Sequence, residues 1–290
     1  MNRKNPMQAV RKPRKTPRKK SSPRKKKKHT RRELPRWMVV LLSIVIVVSF
    51  TFGFYYFFIR PYAYRWKPCH GIKEYGVCIP AGFKVHGIDI SHYQGEIDWN
   101  EFSKAQSADA PIKFIFLKAT EGGDLCDEKF ATNFESARQN GYIRGAYHFF
   151  NPETSGLKQA EFFIRTVRLD SGDLPPVLDI EKRGGREIEA LKKELKIWLH
   201  RVENHYGVKP ILYTSHKFKT KYLDDPFFNQ YPYWIAHYYV DSVAYKGEWK
   251  FWQHTDVGSV PGISENVDLN IFNGKLEELE SMTIGSTVTP

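Results

Sequence analysis

The sequence predicts an α/β fold, a barrel of strands partly wrapped by helices behind one membrane-crossing helix, and three observations carry that expectation. Eight short apolar runs of strand length recur after residue 84, amphipathic helical patterns separate the early ones, and one uncharged apolar stretch precedes them all. The first segment, residues 1–36, holds seventeen Lys and Arg against the single acid Glu33, a charge of +16 within a chain of +13, so everything after Arg36 sums to −3. The basicity therefore belongs to a tail. A Lys/Arg/Pro/Ser tract has no apolar stripe to bury and is expected to be disordered. It lacks the interleaved aromatics that favour single-stranded nucleic acid, so no nucleic-acid partner is expected. Beside a membrane it reads as a topology signal that also touches anionic lipid.

Residues 37–59, opening on Trp37 and closing on Ile59, are uncharged and as long as a bilayer-spanning helix needs to be. A secretory signal would have a shorter apolar core and a small-residue cleavage site, whereas this stretch ends in bulky aromatics and Arg60-Pro61. With the positive charge ahead of it, the helix is expected to keep the N-terminus in the cytoplasm and export the rest. In the juxtamembrane segment, 60–84, Cys69 and Cys78 bracket a short loop containing Gly71 and Gly76, which suits a small disulfide in an oxidising compartment. Cys126 is left over, as a buried free thiol or as a partner for one of the other two.

The domain expected over 85–275 places strands at 85–90, 113–119, 143–149, 176–180, 210–214, 233–238, 249–253 and 267–272, with residues 276–290 as a C-terminal tail. Phe130, Phe134 and Ala137 recur at helical spacing, as do Ala160, Phe163, Ile164 and Val167, and then Ile188, Leu191, Leu195, Trp198 and Val202. Gly141 and Gly207 stop two of these helices. The connections 239–248 and 254–266 contain Gly and Pro with little apolar periodicity and read as loops. The order implies a barrel whose early strands are wrapped by helices and whose last strands are not.

Chemistry concentrates at Asp179-Ile180-Glu181, which closes the apolar run Pro175-Pro176-Val177-Leu178. Side chains alternate along a strand, so both acids face one way with roughly 6 to 7 Å between their Cα atoms. Carboxylates so paired can supply a general acid and a base, nucleophile or charge stabiliser for cleaving a glycosidic bond; the bland alternative is a strand end capped by acids that bind Lys or Arg. Asp89, between Ile88 and Ile90, and Asp268 in Asn266-Val267-Asp268-Leu269-Asn270 lie in two further apolar strands. Asp268 stands near the start of its strand, so it reaches the mouth where the other acids end only if that last strand runs antiparallel.

The order G-x-D-x-S-x-x-Q-G-x-I-D-W from Gly87, F-x-K-A-T-E-G from Phe116, R-G-A-Y-H-F from Arg144, L-D-I-E from Leu178, W-I-A-H-Y from Trp234, W-Q at Trp252 and V-D-L-N from Val267 resembles glycoside hydrolase family 25 lysozymes over residues 85–273. The resemblance implies a flattened TIM-like (β/α)5(β)3 barrel and an N-acetylmuramidase acting on peptidoglycan glycan strands. By that resemblance Glu181 is the proton donor. Asp179 orients the substrate's acetamido group or a water, or stabilises the cation, and Asp89 and Asp268 complete the acidic cluster. Tyr93, Tyr147, Trp234 and Tyr238, with Gln253 and Asn270, fall in motif positions that the resemblance assigns to the glycan cleft. A non-catalytic glycan-binding module is the competing reading, though a pure binder has no need of a raised-pKa acid.

His148, His237 and His254 come from separate strands without a closely spaced ligand pair, so they are expected to line or bond within a polar cleft, and no metal site or cofactor is expected. No G-x-S-x-G elbow and no Walker-type loop supports a serine hydrolase or a nucleotide binder.

Overall fold

A computed structural model describes residues 34–60 and 68–286, so most of the basic tail and the stretch 61–67 lie outside the described residues. The chain divides into two units, residues 1–63 and 64–290. In the first, α1 (Arg36–Phe54) follows Pro35 and runs on through a π turn, Tyr55–Ile59. The resulting 24-residue helix, Arg36–Ile59, has a mean hydropathy of 2.5 and buries none of its side chains within the protein. Among the described residues it is the one helix long and apolar enough to cross a membrane. Its many β-branched residues are mediocre helix formers in water, whereas an apolar surround favours the helix because the backbone must bond to itself there.

The second unit begins with a hairpin. β1 (Ile72–Glu74) and β2 (Val77–Ile79) pair antiparallel around Tyr75 and Gly76, whose φ values of 50° and 74° are the left-handed geometry that two-residue hairpin turns demand. Cys69 and Cys78 are joined by a disulfide across a Cα–Cα distance of 5.5 Å. Tyr75 is buried and donates its hydroxyl to the Ala110 carbonyl at 3.0 Å, while its own carbonyl accepts from Ser259 N at 2.8 Å. The hairpin is thereby fastened to the domain and is no free juxtamembrane linker.

Next come β3 (Val85–Ile90), α2 (Trp99–Lys104), β4 (Ile112–Glu121), the short β5 (Leu125–Cys126), α3 (Phe130–Gln139), β6 (Ile143–Phe149), α4 (Gly156–Thr166), β7 (Val177–Asp179) and α5 (Ile188–Tyr206). β8 (Ile211–Ser215), α6 (His216–Phe218), β9 (Tyr233–Ala236), β10 (Phe251–Gly258), β11 (Val267–Phe272) and α7 (Leu276–Ser281) complete the unit. The strands run β3-β11-β10-β9-β8-β7-β6-β4 and close by pairing of β3 with β4, an eight-stranded barrel with β5 appended to β4. Neighbours are parallel except at β11, which is antiparallel to both β10 and β3, as the position of Asp268 requires.

Three details differ from the sequence reading. The connection between β8 and β9 carries only the three-residue α6, a π turn (Lys219–Leu223) and a 3-10 turn, too little apolar periodicity for an ordinary crossover helix. β10 continues to Gly258 as a bulged arm against β11, so the first five residues of the loop expected over 254–266 are strand. The tail expected after residue 275 contains α7, whose Leu279 is buried in the inner core, and Ile284 N donates to the Asp173 carbonyl at 2.8 Å.

Alternation along each strand separates two cores. Val85, Phe114, Phe116, Val177, Ile211, Tyr213, Trp234 and Phe251 point into the barrel, whereas Ile88, Ile90, Ile115, Leu117, Leu178 and Leu212 pack outward in the larger layer that holds the helices. The interior is plugged by aromatics: Phe116 stacks on Trp234 at 4.4 Å, and Phe251 meets Phe114 and Phe116 edge-on at 5.3 and 5.1 Å. Glycine opposite these rings is a packing necessity. A Cβ on Gly87 would lie 2.4 Å from Phe114 and one on Gly145 would lie 2.6 Å from Phe116. The plug fills the barrel below its C-terminal rim, so only the rim remains for a ligand.

Candidate active site

Inward-facing residues one step above the plug come from five strands. Asp89 lies on β3, Asp179 ends β7, Tyr213 lies on β8, Gln253 on β10, and Asn270 with Asp268 on β11. The antiparallel register sets Asp268 directly opposite Asp89. Asp89 is buried, and its Oδ2 accepts from Gln253 Nε2 and Asn270 Nδ2, each at 2.7 Å. Gln253 Oε1 accepts in turn from the hydroxyls of Tyr213 and Tyr238, each at 2.6 Å, and Asn270 Oδ1 from the Trp234 indole at 2.8 Å. An indole N–H can only donate, so it fixes which end of Asn270 faces Asp89. Asp89 therefore sits at the focus of two oriented amide donors.

The electrostatics follow from packing carboxyls together away from water. Burial pushes Asp89 above the usual carboxylate range, against the hydrogen bonds of Asn270 and Gln253, which favour its ionised form. Burial and the charge of Asp89 push Asp268 up further, and its side chain bonds to Asp89, so Asp268 is the protonated member of the pair. Asp179 is raised well above its ordinary value by burial and then by Glu181 and Asp89, and its Oδ1 is buried without a hydrogen-bond partner. Glu181 is also raised, chiefly by the walls around its carboxyl, with Lys182 and Lys118 pulling the other way; its side chain as a whole stays exposed at the rim. Two acids that favour their protons thus stand side by side at the rim, Glu181 exposed and Asp179 buried with one oxygen unpartnered.

The residues assigned to the cleft separate on inspection. Tyr93 is 73 % exposed and lies against the His92 ring at 4.1 Å, with that ring held by Asp127 at 2.8 Å. Tyr147 and Tyr238 are half-buried, with Tyr147 raised by burial and by Asp89 and Asp179. These three tyrosines have faces a sugar can reach. Trp234, Gln253 and Asn270 do not, being 2, 2 and 0 % exposed, so they support Asp89 from below. In a barrel with an apolar plug, an inward aromatic at mid-strand packs as core, as Trp234 does. Tyr213 was not singled out from the sequence. It bonds Gln253 and, through a side-chain hydrogen bond, Glu181, and the alternation from Ile211 through Tyr213 was its available signal.

The histidines are not in the cleft. His148 points outward, bonding Thr120 at 2.7 Å and Gln159 at 3.1 Å and stacking on Trp198. His237 stacks on His216 at 4.5 Å, and His254 lines a cavity of about 760 Å³ between the disulfide hairpin and β10. Cys126 is a free, exposed thiol.

With that geometry established, residues 88–263 match the family model "Glycosyl hydrolases family 25". The chain belongs to glycosyl hydrolase family 25. The match includes Asp89, Asp179, Glu181 and Gln253, while Asp268 and Asn270 lie just beyond it. Among family 25 relatives, Lysozyme M1 of Streptomyces globisporus is 32 % identical over 210 residues, covering 67 % of this chain and 70 % of that protein. The Escherichia coli K12 protein YegX, described as uncharacterized, is 41 % identical over 259 residues, covering 86 % of this chain and 93 % of its own length. Among solved structures, a family 25 glycosyl hydrolase from Bacillus anthracis superposes with a TM-score of 0.63 at 36 % identity, over 69 % of this chain and 94 % of that one.

Proposed function

We propose that this family 25 glycoside hydrolase is a membrane-anchored lysozyme that hydrolyses the β-1,4 bond between N-acetylmuramic acid and N-acetylglucosamine in peptidoglycan. The observation that carries the proposal is the pairing, at one open rim, of two raised carboxyls from Asp179 and Glu181, with Asp179 Oδ1 left unpartnered. Glycoside cleavage needs a proton on the leaving oxygen and negative charge near the anomeric carbon. Glu181, exposed and raised, donates the proton to the leaving oxygen as the glycosidic C–O bond breaks. Asp179 faces the cationic centre or the acetamido group through its free oxygen. A water then adds to the anomeric carbon and returns a proton to the site. Asp89 supplies the background charge with Asp268 bonded beside it, and Tyr93, Tyr147 and Tyr238 offer ring faces to the sugars.

The 24-residue apolar helix and the +16 tail ahead of it support a single-pass anchor with a cytoplasmic N-terminus and the barrel outside. The activity is tested by clearing of a purified wall suspension with the full chain beside Glu181→Gln. Clearing by the parent alone is expected; an active Glu181→Gln would remove Glu181 as the proton donor, and an inactive parent that still binds walls would favour the glycan-binding module. Protease added to intact cells should degrade the barrel and spare the tail; the reverse pattern would invert the topology.

A further inference from the structure

The rim beside Glu181 carries a second, opposite charge pattern. Lys182 and Arg183 follow β7, and Lys217 and Lys221 follow β8, the adjacent parallel strand, so all four leave the barrel at the same mouth. All four are exposed, and none has a carboxylate within ion-pair distance among the described residues. Nearby cations are spoken for: Arg186 pairs with Glu194 at 3.9 Å and Lys192 with Asp225 at 3.1 Å. The acid on this side, Glu153, accepts from Gly185 N at 3.1 Å. The cluster also has a common focus, since Lys221 Nζ lies 4.8 Å from the centre of the Tyr222 ring and the charges of Lys221, Arg183 and Lys217 all hold that phenol below its usual range.

Like charges gathered without partners repel, and burial does not hold these in place. An anionic ligand relieves that repulsion. The neighbouring cleft is lined by the carboxyls of Asp89, Asp179, Glu181 and Asp268, none of which can pair with an anion, so the ligand's negative groups lie outside the scissile sugars yet are carried by the same molecule. Peptidoglycan has that layout: neutral amino sugars in the chain, with carboxylate-bearing peptide stems hanging from the muramic acid. We infer that Arg183, Lys217 and Lys221 form a subsite for the stem-peptide carboxylates of the glycan bound in the cleft. The inference rests on the lysozyme reading and names the side of the cleft on which the stem lies. Lys182, which acts directly on Glu181, is left out of the test.

The test uses the full chain in detergent with Glu181→Gln to prevent turnover, titrated calorimetrically with glycan oligosaccharides that carry tetrapeptide stems and with the same glycans stripped by an amidase. Exposed charges contribute little each, so three together are expected to give roughly a 10-fold preference for the stem-bearing glycan, shrinking at high salt. Arg183→Ala/Lys217→Ala/Lys221→Ala should bind the bare glycan as before and lose the preference. Equal binding of the two glycans by the parent, no binding of either, or a preference that survives the triple substitution would overturn the inference. So would a triple variant that keeps the preference but loses binding to phosphatidylglycerol vesicles, which would assign the cluster to lipid. A chain that prefers stems but never clears walls would sink the lysozyme reading and leave the subsite standing.

Discussion

Asp268 stands directly across from Asp89 in the antiparallel register of β11 and β3, and the two side chains share a hydrogen bond. Only the reversal of the last strand brings a residue near a strand's beginning to the rim where the other strands end. Asp179 lies within reach of the pair: burial raises its carboxyl first, and the charges of Glu181 and Asp89 raise it further.

Asp268→Asn should stabilise the protein in a pH-dependent way. A carboxyl whose folded pKa is raised binds more protons in the native than in the unfolded state, so its contribution falls as pH rises through and above the ordinary carboxylate range. The melting temperature of the variant is therefore expected to exceed the parent's by a few degrees near about pH 8 and to converge with it near about pH 4. A parent that gains on the variant as pH rises would mean that Asp268 is ionised and favourably paired.

Glu181→Gln keeps the size and hydrogen bonding of the side chain and removes the transferable proton. Wall-lysis rate should fall by about 10² to 10⁴ while glycan binding and melting temperature hold. Loss of melting temperature with lysis intact would instead identify Glu181 as a structural cap.

Much of the barrel was legible because its signal is local. β3, β6 and β11 are short runs rich in apolar residues, and they begin and end where the sequence places them. The antiparallel last strand was readable from the position of Asp268 alone. The hairpin of β1 and β2 was not, since three-residue strands show no periodicity and its turn places Tyr75, a residue without turn preference, at φ 50°. Trp234, Gln253 and Asn270 were legible as site positions but not as supports. Which inward residues meet a ligand depends on how high the Phe114, Phe116 and Phe251 plug rises, a property of the closed barrel and of no single strand.

Trp234→Phe tests the support directly. Phenylalanine keeps the stack on Phe116 but leaves Asn270 Oδ1 buried without a donor, at a cost of about 1 to 3 kcal/mol. With Asn270 free to turn, Asp89 loses an oriented donor, so kcat should drop with KM little changed, although Trp234 is too buried to touch glycan. A rise in KM at constant kcat would return Trp234 to the binding surface.

The outer face of β3 makes the last prediction. His86 points away from Asp89 by one step of alternation, is 2 % exposed, and has both ring nitrogens buried without partners. Burial pushes its pKa down to about 4, and His254, lowered by burial and then by His86, down to about 3. A histidine depressed in the folded state contributes stability that is present above its unfolded pKa of about 6.5 and is lost as pH falls through the folded value. The parent should therefore lose melting temperature steeply between about pH 6.5 and pH 4. His86→Leu removes two unsatisfied polar atoms and one of the groups that must charge in acid. It should melt higher than the parent at neutral pH, and the gap should widen on acidification, as thermal denaturation at about pH 7 and about pH 4.5 would read. A His86→Leu protein that melts below the parent at both pH values would show that the ring has a polar partner worth more than its burial costs.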